Sequence, residues 1–363
     1  MRPFSYVKAD DVATAVAESA AAAAENGDGS SGGTVKFIAG GTNIIDLMKE
    51  DVVRPTKLVD INALPLAAIT ETDSAGLLLG ALARNADTAY HPLVRTRFPL
   101  LTAAILAGAS PQLRNMATNG GNLLQRTRCL YFYDVVAPCN KRAPGTGCSA
   151  IGGLTRQLAI LGVSEQCIAT HPSDMCVALA ALDAQVHVTS EAGSRVVPFL
   201  DFHRLPADRP DLDTNLAAGE LITHLELPGA AAAFAQHSAY LKFRDRASYS
   251  FALVSAAAAL EFEDDGSIRQ ARVAIGGVAH KPWRSLEAEG LLVGGRPTEA
   301  SFGRAADALL AGAVGQGDND FKIEMAHRAV VRALAVATAG TVTNTGEIPP
   351  GNAADGADQI EVN

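Results

Sequence analysis

No basic run breaks the 363-residue sequence, and acidic side chains outnumber basic ones by 39 to 30, giving a net charge of −9 and a pI near 5.4. Without a positive stripe, nucleic acid is not the expected partner. A membrane-spanning run is missing too. The alanine-rich stretch 12–24 is short, contains Glu18 and ends beside Glu25, which reads as an amphipathic helix. The opening MRPFSYVKADD lacks the apolar core of a signal peptide. Two compartments therefore stay open: the cytoplasm, or the periplasm if a partner bearing a signal carries the folded chain across. Equally absent are CxxC knuckles, bacterial ferredoxin spacing, a P-loop and HExxH. No Ser-His-Asp or Cys-His nucleophile pattern shows, and there is no internal repeat.

What is present can build a large core: 48% of residues are hydrophobic and 19% charged, over a length that suits two or three domains. The pattern predicts a helix over 11–25, a flexible loop NGDGSSGG over 26–33, a buried strand over 35–38, and a helix start over 43–49. KLVDI and AGLLLGALA read as strands, 91–106 as mainly helical, and RNMATNGGNLL as a tight turn. HPSDMCVALAALDA reads as a helix with Ser173 as N-cap and Asp174 in its first turn. QVHVTS and SRVVPF alternate as strands do. After Pro228 the composition shifts toward antiparallel strands with an embedded helix or bend, closed by helices over 299–311 and 322–339. Residues 341–363 are expected to be a disordered tail.

Two Gly-Gly turns, each bordered by Thr and Asn, carry the first chemical signal: Ala39-Gly40-Gly41-Thr42-Asn43 and Thr118-Asn119-Gly120-Gly121-Asn122. Glycines let a ligand approach the backbone, whose amides can point at an anion. One such turn does not distinguish a phosphate cradle from an ordinary connection. Two make a shared ligand such as a pyrophosphate easier to accommodate.

The second signal is cysteine crowding. All five cysteines lie between positions 129 and 176, in the order C-x9-C-x8-C-x18-C with Cys176 beyond. A disulfide framework belongs to small secreted domains, so this crowding points to a local metal or cluster site, though spacing alone leaves that open. Cys176 sits in an apolar helix and reads as a core residue. The scattered histidines, among them His91, His171 and His280, read as turn or surface residues. The Arg244-Asp245-Arg246 cluster reads either as a solvated strand end or as a ligand or partner contact.

In order along the chain, FIAGGTN, SPQLRNMATNGGNL, HPSDMCVALAALDA, GELITHLELP, LKFRDRASYSFALVSAAAAL and IGGVAHKPWR resemble the FAD-binding subunits of molybdenum hydroxylases, the xanthine dehydrogenase family. The resemblance implies an α+β fold. A vanillyl-alcohol-oxidase-type FAD module of two α/β lobes would span 1–230, and a CO-dehydrogenase-flavoprotein-like C-terminal domain 231–340. It also implies that Lys36, Phe37, Ile38, Ala39, Gly40, Gly41, Thr42, Asn43 and Ile44 line the FAD pyrophosphate. Thr118, Gly120, Gly121 and Asn122 would form the second FAD loop, while Asp174, Ile222 and Lys242 would lie at the flavin end. About fifty residues separate Asn122 from His171, where most relatives run on almost directly. RTRCLYFYD, APCNK, GTGC and SEQCIATHPSD resemble the aldehyde oxidoreductase version of this insertion (123–170), which implies a [4Fe–4S] cluster on Cys129, Cys139, Cys148 and Cys167. The implied partners are a molybdenum-cofactor large subunit, a [2Fe–2S] small subunit and an external electron acceptor. Against this stand a stand-alone flavin oxidase of the same fold, a subunit acting on a purine or other heterocycle, and a zinc-stabilised scaffold.

Overall fold

The computed structural model describes residues 1–26 and 35–341; the expectations for 27–33 and 342–363 lie outside them. The first lobe is a parallel three-stranded sheet of β1 (Ser5–Lys8), β2 (Val35–Ile38) and β3 (Lys57–Asp60), with β3 in the middle. Parallel pairing requires crossovers, and the helices Val12–Asn26 and Ile44–Lys49 supply them. The Asp11 carboxylate accepts from the Thr14 amide at 2.7 Å and so starts the first helix. β1 has no counterpart in the sequence reading, because SYVK is mostly exposed and shows no apolar alternation.

The second lobe is antiparallel throughout: β4 (Ile69–Glu71), β5 (Leu77–Gly80), β6 (Gln185–Ser190), β7 (Gly193–Pro198) and β8 (Leu221–Leu227), in the order β4-β5-β8-β6-β7. The region 91–106 is mainly helical, as expected, but divided into Pro92–Arg97 and Pro99–Ala107, and a further helix, Asn85–Tyr90, precedes it. Pro92 and Pro99 each force the preceding residue, His91 and Phe98, out of helical geometry. RNMATNGGNLL also differs from a plain turn. The Thr118 hydroxyl accepts from the Gly121 amide at 3.3 Å and caps a short helix, Asn119–Leu123.

The C-terminal domain is a meander of β9 (Ser238–Phe243), β10 (Val254–Phe262), β11 (Ile268–Gly276) and β12 (Trp283–Arg284). Alanines 256–259 of β10 and Ala326, Ala329, Ala333 and Ala337 of the helix Phe321–Ala339 are all fully buried. Small side chains on both surfaces let helix and sheet pack closely. Helix Asp174–Ala181 is buried at every residue, because it is wedged between the helix Pro99–Ala107 and strands β10 and β11. It joins the second lobe to the C-terminal domain.

The insertion is mostly turns, yet it has a small core of its own. Cys129, Cys139 and Cys167 are buried there with Phe132, Ala150, Leu158, Ile168 and Ala169, beside Leu47 of the first lobe. Within 141–155, Ala150 belongs to this core.

Candidate functional site

The two glycine turns meet. A Cβ on Gly40 would lie 1.8 Å from the Met116 carbonyl oxygen, so the first turn lies flat on the backbone leading into the second. Gly41 has φ +72°, a conformation costly for residues with a Cβ. Residues 36–44 are all partly exposed, including every position of apolar β2, whereas Leu58 and Val59 of neighbouring β3 are buried. An apolar strand left half-open beside a glycine turn is the surface a bound cofactor would cover. Lys36 lies near Arg126 and Asp213; burial and the Arg126 charge lower its pKa.

Side chains link this cradle onward. The Asn43 side-chain oxygen accepts from the Arg126 amide at 2.8 Å, and Asp46 pairs with Arg128 at 3.0 Å. From the second turn, Asn122 donates to Asn85 at 2.8 Å and accepts from the Ser173 hydroxyl at 2.5 Å. Ser173 also caps its helix, as the sequence predicts. Asn119 is buried among Asn85, Thr88 and the Gly80 carbonyl and shapes the turn from inside. Asp174 accepts from Tyr240 at 2.7 Å and from Lys242 at 2.8 Å, with both ends of the ion pair buried. Asp174 and Lys242 thus come together across the domain boundary. Ile222 does not join them: it lies on β8 inside the apolar core of the second lobe. Of the charged cluster, Asp245 pairs with Arg156 of the insertion at 2.6 Å, and Arg244 donates to the Ala107 carbonyl.

A crevice, open in part to solvent, lies between the insertion, the segment leading to Asp174 and the C-terminal domain. Arg128, Cys129, Ser173, Asp174, Phe251 and Ser255 are among its lining residues. A second, smaller cavity is lined by Cys129, Cys139, Cys148 and Cys167 together. All four thiols are free. Burial pushes the Cys129 thiol up to about 11. A hydrogen bond shared between Cys148 and Cys167 lowers the first and raises the second. Burial holds the Cys129 thiol protonated unless a cation draws off its charge, and an iron–sulfur core does so. The donor set fits such a group. Lys141, also on this wall, is fully buried and bonds the Pro210 carbonyl at 2.7 Å and the Asp213 carboxylate. Although its burial works the other way, Arg126 and Lys141 hold the Asp213 carboxyl well below the usual range.

The histidine expectation needs correction. His171, His203 and His280 are buried, and burial pushes all three downward, His203 to about 4. Ligand atoms of His171, Cys176 and His203 lie within 4.8 Å of one another. The His203 Nε2–H donates to the Leu123 carbonyl at 2.9 Å, and its ring stands 4.3 Å from that of His171. No local spacing could have shown this group, since His203 arrives from a separate element.

Fold and site together define a flavin-binding redox subunit. Residues 2–230 match the FAD binding domain in molybdopterin dehydrogenase, and residues 238–337 the CO dehydrogenase flavoprotein C-terminal domain. The chain belongs to this family: it is an FAD-binding, electron-transferring subunit of a molybdenum hydroxylase, an oxidoreductase. It is 50% identical over 305 residues to the aldehyde oxidoreductase FAD-binding subunit PaoB of Escherichia coli, covering 84% of this chain and 92% of that one. It is 29% identical to the glyceraldehyde dehydrogenase medium chain of Sulfolobus acidocaldarius, over 80% and 81% of the two chains. Among solved structures, a chain of the carbon monoxide dehydrogenase from Hydrogenophaga pseudoflava that lacks the Mo-pyranopterin moiety superposes with TM-score 0.70 at 26% identity, over 93% and 98% of the two chains. Among the described residues, no helix is long and apolar enough to cross a membrane.

Proposed function

We propose that the chain is the FAD and [4Fe–4S] subunit of a heterotrimeric aldehyde oxidoreductase. Its partners are a molybdenum-cofactor large subunit, where substrate is oxidised, and a [2Fe–2S] small subunit that delivers the electrons. An external acceptor takes them from this chain, and export of the assembly depends on a partner's signal. The carrying observation is that Cys129 lines both cavities, so a site for four thiolate ligands adjoins a site bordered by Asp174. The aldehyde assignment leans on the likeness to PaoB, whose name states that activity.

Bound FAD and a four-iron cluster would supply the redox chemistry. The chain's residues bind, orient and insulate them. Gly40 and Gly41 with residues 118–122 offer backbone to the pyrophosphate. Asp174, fixed by Tyr240 and Lys242, gives the flavin end a rigid polar wall. Cys129, Cys139, Cys148 and Cys167 hold the cluster, and the apolar walls Phe132, Ala150 and Ala169 keep water from it.

The test is composition of the native assembly. Mass measurement should give three different subunits, with FAD and about four irons on this one. Zinc in place of iron removes the cluster. A fully active isolated chain removes the partners.

A further inference from the structure

Arg128 stands where the two cavities adjoin, one residue before Cys129. Its Nη1 donates to the Asp46 carboxylate at 3.0 Å and to the Tyr133 hydroxyl at 2.6 Å. Its guanidinium lies 5.0 Å from the centre of the Phe251 ring. The first lobe, the insertion and the C-terminal domain therefore all hold it. Its Nε–H is buried and has no hydrogen-bond partner among the described residues. A buried unpaired donor is costly, and arginine cannot relieve this by losing its proton. A side chain that lines the cavity, is fixed this firmly and has one donor left over is built to meet a polar ligand atom.

The cavity's character says which atom. Phe251, Leu158 and Pro172 give it apolar surface, while Arg128, Ser173 and Ser255 give it polar surface. An isoalloxazine ring has the same division, an apolar benzenoid edge and a polar pyrimidine edge. Reduction gathers negative charge on the pyrimidine edge, where a fixed cation stabilises it.

We infer that Arg128 is a positioning residue for the flavin, donating from Nε to the ring's pyrimidine edge and favouring the reduced ring by its charge. The inference rests on the reading that FAD extends its ring into this cavity. Asp46, on the far side of the guanidinium, partly offsets that charge.

The experiment is a spectroelectrochemical titration of FAD in the assembled complex, with iron content and circular dichroism confirming that each variant keeps its cluster and fold. Arg128→Met should lower the reduced-to-oxidised ratio at fixed potential about tenfold, a downward shift of about 30 mV for a two-electron couple. Arg128→Lys, which keeps the charge, should shift less. Asp46→Asn, which removes the opposing charge, should shift the potential upward. If Arg128→Met leaves the potential unchanged, or moves it in the same direction as Asp46→Asn, Arg128 has no such electrostatic role. Ala252→Trp, which fills the cavity, separates the two failures. Should it leave FAD content and spectrum unchanged, the ring does not occupy this cavity and the underlying reading falls. Should it expel or perturb the flavin while Arg128→Met changes nothing, only the Arg128 assignment falls.

Discussion

Gly40 and Gly290 show how differently one methyl group can weigh. At Gly40 the added carbon would press on the Met116 carbonyl, which is backbone and cannot rotate aside. At Gly290, exposed at the end of the helix Leu286–Gly290, it would meet nothing within 4 Å. Gly40→Ala should therefore destabilise by about 1–3 kcal/mol through overpacking and separate the two turns. FAD occupancy should fall sharply. Gly290→Ala should be neutral or stabilise by up to about 1 kcal/mol, with FAD retained. Melting temperature and flavin absorbance of the two purified variants check this. Equal FAD content in both would mean that the Gly40 contact does not shape the cradle.

At the scale of elements, the helix Asp174–Ala181 has no solvent face, and its one charge is met from a strand of another domain. Lys242 on β9 closes that pair, with Tyr240 two residues earlier on the same face. Lys242→Met leaves a buried carboxylate with a hydroxyl partner alone and should cost about 3–5 kcal/mol. Lys242→Met with Asp174→Asn should recover much of that, since no charge then stays buried unpaired. Thermal melting of the single and double variants measures the coupling, and strict additivity would mean that the pair does not join the domains. This pairing also marks how far the sequence could be read. The cap at Ser173, the strands β6 and β7 and the helix Phe321–Ala339 follow local signals that survive packing. The positions of β8 between β5 and β6, and of Ile222 in the core rather than beside Asp174, depend on pairing between distant segments. The burial of His171, His203 and His280 was hidden for the same reason. The glycine turns and four cysteines were legible because backbone geometry and thiolate chemistry restrict residue type wherever the segments end up.

Across the whole molecule the insertion ties the other three bodies together. It reaches the first lobe through Arg128–Asp46, and the 211–213 segment through Arg126 and Lys141 to Asp213. It reaches the C-terminal domain through Arg156–Asp245, through the Ile160 amide on the Val278 carbonyl, and through Lys322, whose buried ammonium donates to the Leu158 carbonyl at 2.8 Å. Yet few regular elements support it, and three of its own core residues are cysteines. A cluster on those thiols would then supply much of the insertion's folding energy, as metals do in small domains. Losing one ligand should spread outward instead of staying local. Cys139→Ser is expected to lose about four irons per complex, to lose FAD, to melt at lower temperature, and to become protease-sensitive within 123–170. Cys176→Ser, in the fully buried helix, should keep iron and FAD at a small cost in stability. Iron assay, flavin release and limited proteolysis on the two variants decide the matter. Iron retained by Cys139→Ser overturns the ligand set. Iron lost with FAD and melting temperature unchanged overturns the coupling, because the insertion's bonds to the three bodies would then hold without the cluster.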